Sequence, residues 1–253
     1  MTESRTVLAS DAMEMGKIMR GALMKFLAAV IVVAFFVACS RGPEPEEVTH
    51  TPAVEAEDDL NLNVWLERME VGSRELYSAR EAVVDALSLE EGYVVADIGA
   101  GTGLYALMFA DAVGPRGRVY AEDIEPLFLD LINRRSEDSG FDNITAVLGR
   151  ENDVTLPENS TDVVFIADTY HYFGDREAVM KSVLKALKPG GSLVIVDYDL
   201  KPGEPRPEDK AHVRFGRAGV ISEIEYVGFK LAEEKPVEGL EENYFLRFVK
   251  GDE

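Results

Sequence analysis

An acid followed by three alternating glycines stands out in the stretch V-V-A-D-I-G-A-G-T-G-L-Y, as Asp97, Gly99, Gly101 and Gly103. Glycines at that spacing let the backbone turn sharply and approach a ligand with no Cβ in the way. About twenty residues on, V-Y-A-E-D-I-E-P ends a second apolar run in Glu122 and Asp123. A carboxylate at that position can accept from both hydroxyls of a ribose. A fourth run, D-V-V-F-I-A-D-T-Y-H-Y-F, closes on Asp168, Thr169, Tyr170 and His171. Histidine can take a proton near neutral pH, and an aromatic face favours a cation. A dinucleotide fingerprint, G-x-G-x-x-G/A, wants a small sixth residue for helix–strand packing, and Leu104 stands there instead. These residues suggest a nucleoside-bearing ligand other than a dinucleotide, beside a group able to move a proton.

The elements that must position them alternate along the chain. Strands are expected at Tyr93–Ile98, Arg118–Glu122, Ile144–Leu148, Val163–Ala167 and Ser192–Asp197, with helices at Tyr105–Val113, Pro126–Ser136 and Arg176–Leu187 between most of them. Short Val- and Ile-rich strands read as buried on both faces, hence a parallel sheet covered by helices. A helix at Val220–Val227 precedes two consecutive strands, Phe229–Lys235 and Tyr244–Lys250, expected as an antiparallel pair. Upstream, Asp59–Met69 has apolar residues able to share a helical face, and Ser78–Leu87 reads as a helix capped by Ser78, with Glu81 three residues later. The division expected is a signal over 1–39, a flexible acidic linker over 40–58, a helical extension over 59–90 and one α/β domain over 91–253.

The glycine turn, the acidic end of strand two, the segment Gly149-Arg150-Glu151-Asn152-Asp153 and the turn L-K-P-G-G-S-L-V-I-V-D around Pro189, Gly190 and Gly191 occur in order. Together they resemble the class I, Rossmann-like S-adenosylmethionine-dependent methyltransferases over about two thirds of the chain. The strings D-T-Y-H-Y-F, A-H-V-R, E-I-E-Y-V-G-F and E-E-N-Y-F-L-R-F are similar to a narrower bacterial group among them. The resemblance implies an α/β sheet of seven strands in the order 3-2-1-4-5-7-6, the last strand antiparallel, with helices on both faces. It implies S-adenosyl-L-methionine as cofactor, held by Asp97, Gly99, Ala100, Gly101, Gly103 and Asp168. Asp123, with Glu122 beside it, would take the ribose, and Asp153 or Glu151 the adenine amino group. Tyr170 and His171 would stand at the catalytic position. His212, Arg214 and Tyr77, the last with Arg80, would face the methyl acceptor, a small molecule or an envelope component. The alternative is a membrane-anchored module that binds the cofactor without catalysis.

Composition bounds the partners. Forty-seven acidic against 26 basic side chains give a formal net charge of -21. Such a surface repels phosphate backbones, so no nucleic-acid partner is expected. The single cysteine excludes an intramolecular disulfide and a cysteine-based zinc site, and His50, His171 and His212 lack the close spacing of a metal motif, so no metal is expected. Lys17, Arg20 and Lys25 precede an unbroken apolar run, Phe26–Ala38, which ends at Cys39. The run is short against the ~20 residues of a membrane span and suits the apolar core of a signal peptide. It resembles a bacterial lipoprotein signal with Cys39 as the lipidated residue, although Phe36 stands where leucine is usual. Met24-Lys25 and the run form a compact signal by themselves. An uncleaved anchor is the other reading. Both place the domain outside the cytoplasm and tether it to the membrane through its N-terminus.

Overall fold

The computed structural model describes residues 62–201, 203 and 210–251. The signal-like run, Cys39 and the acidic linker lie outside the described residues. The helix expected over Asp59–Met69 is seen as α1, Leu62–Met69. Ser78 does not cap the next helix. It ends a separate single turn, α2 (Glu75–Ser78), where its hydroxyl bonds back to the Glu75 carbonyl. In that local bond the hydroxyl donates back along the chain, directed away from the amides downstream. Helix α3 (Arg80–Leu87) accordingly starts behind Ala79 with no side-chain cap.

Seven strands follow: β1 (Val94–Ile98), β2 (Arg118–Asp123), β3 (Ile144–Leu148), β4 (Thr161–Ala167), β5 (Leu187–Tyr198), β6 (Phe229–Glu234) and β7 (Asn243–Lys250). Between them run α4 (Leu104–Val113), α5 (Pro126–Ser139), α6 (Arg176–Ala186) and α7 (Arg217–Val227). The strand order is β3-β2-β1-β4-β5-β7-β6, as the resemblance implies. Strands β1 to β5 pair in parallel, and β7 runs antiparallel to both β5 and β6. Pro189 and the two glycines after it lie where the β4–β5 register shifts, between Thr161/Leu187 and Val163/Ser192. Among the described residues no helix is long and apolar enough to cross a membrane.

Burial follows strand position. β1, β4 and β5 are covered on both faces, whereas the edge strand β3 is only half-buried. Val95, Phe165, Val196 and Phe245 face one core with Tyr105 and Phe109 of α4. Ile98, Ile166, Ile195 and Tyr244 face the other, with Met180 of α6 and Ile224 of α7. Tyr244 and its neighbour Phe245 thus point to opposite faces, as strand alternation requires. Each buried aromatic or large aliphatic side chain contributes about 1.5–3 kcal/mol. The order changes direction between β1 and β4, and there the strand ends open a crevice.

Candidate active site

β1 delivers Asp97 to that crevice, 3% exposed, and the chain turns over Gly99 and Gly101 into α4. Both glycines hold positive φ, +69° and +52°. A Cβ on Gly99 would lie 2.3 Å from the Thr169 methyl, and one on Gly101 2.6 Å from the Met69 methyl. The turn is pinned by the end of β2. Asp123 accepts from the Gly101 N–H through Oδ2 (2.9 Å) and from the Glu125 N–H through Oδ1 (2.9 Å). Glu122 accepts from the Gly99 N–H at 3.3 Å. Gly149 lies flat on Glu122, where a Cβ would fall 1.5 Å from Oε1.

Three carboxyls thus crowd one buried turn, and their protonation reflects it. Burial, then the charge of Asp123, pushes Asp97 up to about 7 against the opposing Ala106 N–H. Burial and Asp123 push Glu122 up to about 8, with the Gly99 N–H opposing and Asp97 and Asp153 adding. Asp123 is raised by burial, with the Glu125 and Gly101 amides acting in the other direction. Asp97 Oδ2 is buried with no hydrogen-bond partner. An orphaned carboxylate oxygen is costly unless a ligand donor meets it. The Asp123 carboxylate, which already meets the amides of Gly101, Glu125 and Ile124, keeps acceptor capacity for a hydroxyl donor. The site therefore suits a ligand that brings hydroxyls to Asp123 and an ammonium to Asp97. Asp153 lies near enough to raise Glu122, and its own Oδ1 accepts from the Thr155 N–H at 2.7 Å. Glu151 is exposed.

The ends of β4 and β5 build a second group. Tyr170, expected beside the reacting centre, is instead 2% exposed, and its hydroxyl donates to Glu223 of α7 at 2.8 Å. The 3-10 turn Tyr170–Tyr172 rotates that side chain into the α6–α7 core and turns the next one back. His171 Nδ1–H donates to Asp197 Oδ1 at 2.7 Å, and both side chains are buried. His171 Nε2 lies 3.2 Å from His212 Nε2. His212 is exposed and stacks on Tyr172, with ring centroids 5.0 Å apart and planes 13° off parallel. Burial, His171 and Lys210 lower its pKa. Arg214 is exposed, yet it lines a small cavity shared with His171, Asp197 and Phe215. His171 thus lies against both Asp197 and His212 and shares its cavity with Arg214. Tyr77 is half-buried under the Arg80 guanidinium, 4.5 Å from its ring centroid, and is absent from the walls of these cavities.

Asp168 adopts φ +48° and takes Arg74 Nη2 at 2.5 Å. Burial alone would raise its carboxyl, but Arg74, Lys210 and His171 together hold it below the usual range. Arg74 comes from the segment that crosses the glycine turn. Trp65 of α1 packs edge-on to Phe128 at 5.5 Å, Met69 rests over Gly101, and Arg135 grips both carboxylate oxygens of Glu70 and the Thr102 carbonyl. Beneath this cover a cavity of about 30 Å3 is lined by Arg74, Asp97, Gly99, Ala100, Tyr105 and others. Larger cavities, of about 630 Å3 between α6 and α7 and 350 Å3 at the opposite strand ends, lie away from the glycine turn.

Sequence reasoning passed over Asp197 and Arg74. Asp197 had a signal: like Asp97 and Asp123, it is an acid closing an otherwise apolar strand. Arg74 had none, because only the path of the N-terminal segment brings it to Asp168.

Residues 89–223 match the family model described as methyltransferase domain. The chain is 28% identical to the ubiquinone/menaquinone biosynthesis C-methyltransferase UbiE of Hahella chejuensis over 64% of this chain and 65% of that one. It is 34% identical to the enzyme of that name from Ectopseudomonas mendocina over 48% of each. The chain thus spans about half to two thirds of the length of these curated relatives. Among solved structures, a SAM-dependent methyltransferase from Aquifex aeolicus superposes with a TM-score of 0.64, at 23% identity, over 74% of this chain and 97% of that one.

Proposed function

Because the chain belongs to the methyltransferase-domain family, an enzyme family with S-adenosyl-L-methionine as cofactor, we infer that it methylates a flat, aromatic small molecule bearing an ionisable hydroxyl. The observation that carries this reading is the buried Asp197–His171 pair at 2.7 Å. When bound, the cofactor supplies an electrophilic methyl group. Asp97, the glycine turn and Asp123 would hold it, since they offer the orphaned oxygen and free lone pairs its donors need. Asp197 fixes the His171 tautomer with the proton on Nδ1, which leaves Nε2 able to accept a proton. A hydroxyl deprotonated there becomes a nucleophile at oxygen, or at an adjacent ring carbon that afterwards releases its hydrogen as a proton to restore the aromatic ring; in both cases the demethylated thioether is the leaving group. The buried Asp197 carboxylate stabilises the imidazolium that results. His212 stands between His171 Nε2 and solvent, so a proton reaches His171 through His212 or once that ring turns aside.

Two observations favour an aromatic acceptor. Tyr172 and Phe215 are 65% and 42% exposed beside this histidine pair, and such large exposed rings suit a planar ligand. The curated relatives are named for C-methylation in ubiquinone and menaquinone biosynthesis. The apolar run Phe26–Ala38 ending in Cys39 supports a membrane-tethered domain outside the cytoplasm, within reach of acceptors that partition into lipid. Incubation with methyl-13C-labelled S-adenosylmethionine and phenolic quinol precursors tests the activity. New aryl or aryl-ether methyl resonances are expected with the native chain and not with His171→Gln. Release of the label with no acceptor product from any phenol would contradict the reading. Cys39→Ser should move the protein out of the membrane fraction, and a variant still pelleting with membranes would point to an uncleaved anchor.

A further inference from the structure

The covered cavity at the glycine turn has a polarity that the turn alone does not explain. On one wall Asp97 Oδ2 is buried and unpartnered. Arg74 also lines the cavity. Between them the lining mixes the apolar side chains of Met69, Leu76, Leu104 and Ala167 with Tyr105, Thr102 and the backbone of the glycine turn. A carboxylate and a guanidinium sharing one small cavity match the two charges of an α-amino acid, an ammonium for Asp97 and a carboxylate for the fork of Arg74. At about 30 Å3 the space is far below the ~300–1,000 Å3 of ordinary ligand pockets. The occupant therefore enters only if the cover, residues 62–74, shifts. Arg74 is meanwhile held by Asp168 at 2.5 Å and by the Met69 carbonyl at 3.3 Å.

We propose that Arg74 is the residue of this chain that binds the carboxylate of the cofactor's amino-acid end, exchanging Asp168 for that ligand as the N-terminal cover closes. The proposal rests on the cofactor named above. The exchange leaves the Asp168 carboxylate to its other cationic neighbour, Lys210, and is driven by the new ion pair of Arg74 together with the meeting of the ammonium with Asp97. The segment that closes the site then also reads whether the ligand carries an amino acid. Trp65 is the sole tryptophan of the chain and sits on this cover against Phe128, so its emission follows the movement.

The test compares two probes by calorimetry on the full chain. S-adenosylhomocysteine carries the amino acid, whereas 5′-methylthioadenosine keeps the nucleoside and thioether without it. Arg74→Gln is expected to weaken S-adenosylhomocysteine about 10- to 100-fold, the loss typical of a hydrogen bond to a charged group, and to leave 5′-methylthioadenosine within about twofold. Unchanged binding of the second probe also shows that the variant is folded. Arg74→Lys keeps a cation at this position and is expected to recover part of the S-adenosylhomocysteine binding lost in Arg74→Gln. Saturating S-adenosylhomocysteine should shift Trp65 emission in the native chain and not in Arg74→Gln. An equal loss for both probes, or no loss for either, would overturn the proposal, because Arg74 would then be only a tie to Asp168. Failure of the native chain to bind either probe would instead count against the cofactor itself.

Discussion

Asp97→Asn should make the ligand-free protein more stable at pH 8 while depriving it of its cofactor. The carboxyl is fully buried, and burial with the charge of Asp123 raises it to about 7 from an unfolded value near 4. An acid whose folded pKa is raised is protonated in the folded chain while the unfolded chain has already released its proton. Stability from this group therefore falls as pH rises from about 4 to about 7 and is level above that. The span is about three pH units at about 1.4 kcal/mol each, so at pH 8 the ionised Asp97 costs at most about 4 kcal/mol. Asparagine keeps the shape and removes the charge. It still leaves a buried polar atom unmatched, which reduces the gain by about 1–3 kcal/mol. Thermal unfolding of native and variant chains from pH 5 to pH 8 measures the difference. The variant should gain relative to the native chain as pH rises, and should lose S-adenosylhomocysteine binding at every pH. A variant less stable at pH 8 than at pH 5, relative to native, would refute the electrostatic reading of this turn.

Asp123→Ala should both weaken S-adenosylhomocysteine by about 2–3 kcal/mol and lower the melting temperature of the free protein, because it strips acceptors from the Gly101 and Glu125 amides as well as from the ligand. A variant with full affinity would remove Asp123 from the ribose site. Asp197→Asn should lower turnover about 10²- to 10⁴-fold, since it withdraws the charge that stabilises the His171 imidazolium, and should leave S-adenosylhomocysteine affinity within about twofold. Methyl transfer at the native rate would show that the pair is only structural. Gly149→Ala should cost about 1–3 kcal/mol of stability by driving Glu122 off the Gly99 amide, read by denaturant unfolding, and an unperturbed midpoint would contradict the packing described.

The parallel sheet was legible because its strands are apolar runs, and the carboxyls of Asp97 and Asp123 stand at the ends of two of them. Ile144–Leu148 was placed to the residue, and the other strands within a few positions, with the largest gap at β5, which extends back through the Pro189 turn. The glycine turn was legible because positive φ at Gly99 and Gly101 excludes most other residues. Side-chain direction after β4 was not. A single 3-10 turn decides that Tyr170 enters the α6–α7 core while His171 meets Asp197, and residue order alone carries no such information. Distant pairings were equally hidden. His212 lies 41 positions from His171, and Arg74 lies 94 from Asp168, so neither shows as a spacing motif. Ser78 misled for a local reason: a serine near a helix start can bond backward as readily as forward.

The central claim is that the buried acids around the glycine turn seat the cofactor at the β1–β4 switch. A crystal structure of the chain with S-adenosylhomocysteine tests it most directly. The account predicts the ribose hydroxyls on Asp123 and the amino group on Asp97, with the sulfur directed toward the His171 side of the crevice. Density for the ligand in the α6–α7 cavity beside Tyr226, with Asp97 and Asp123 untouched, would contradict it.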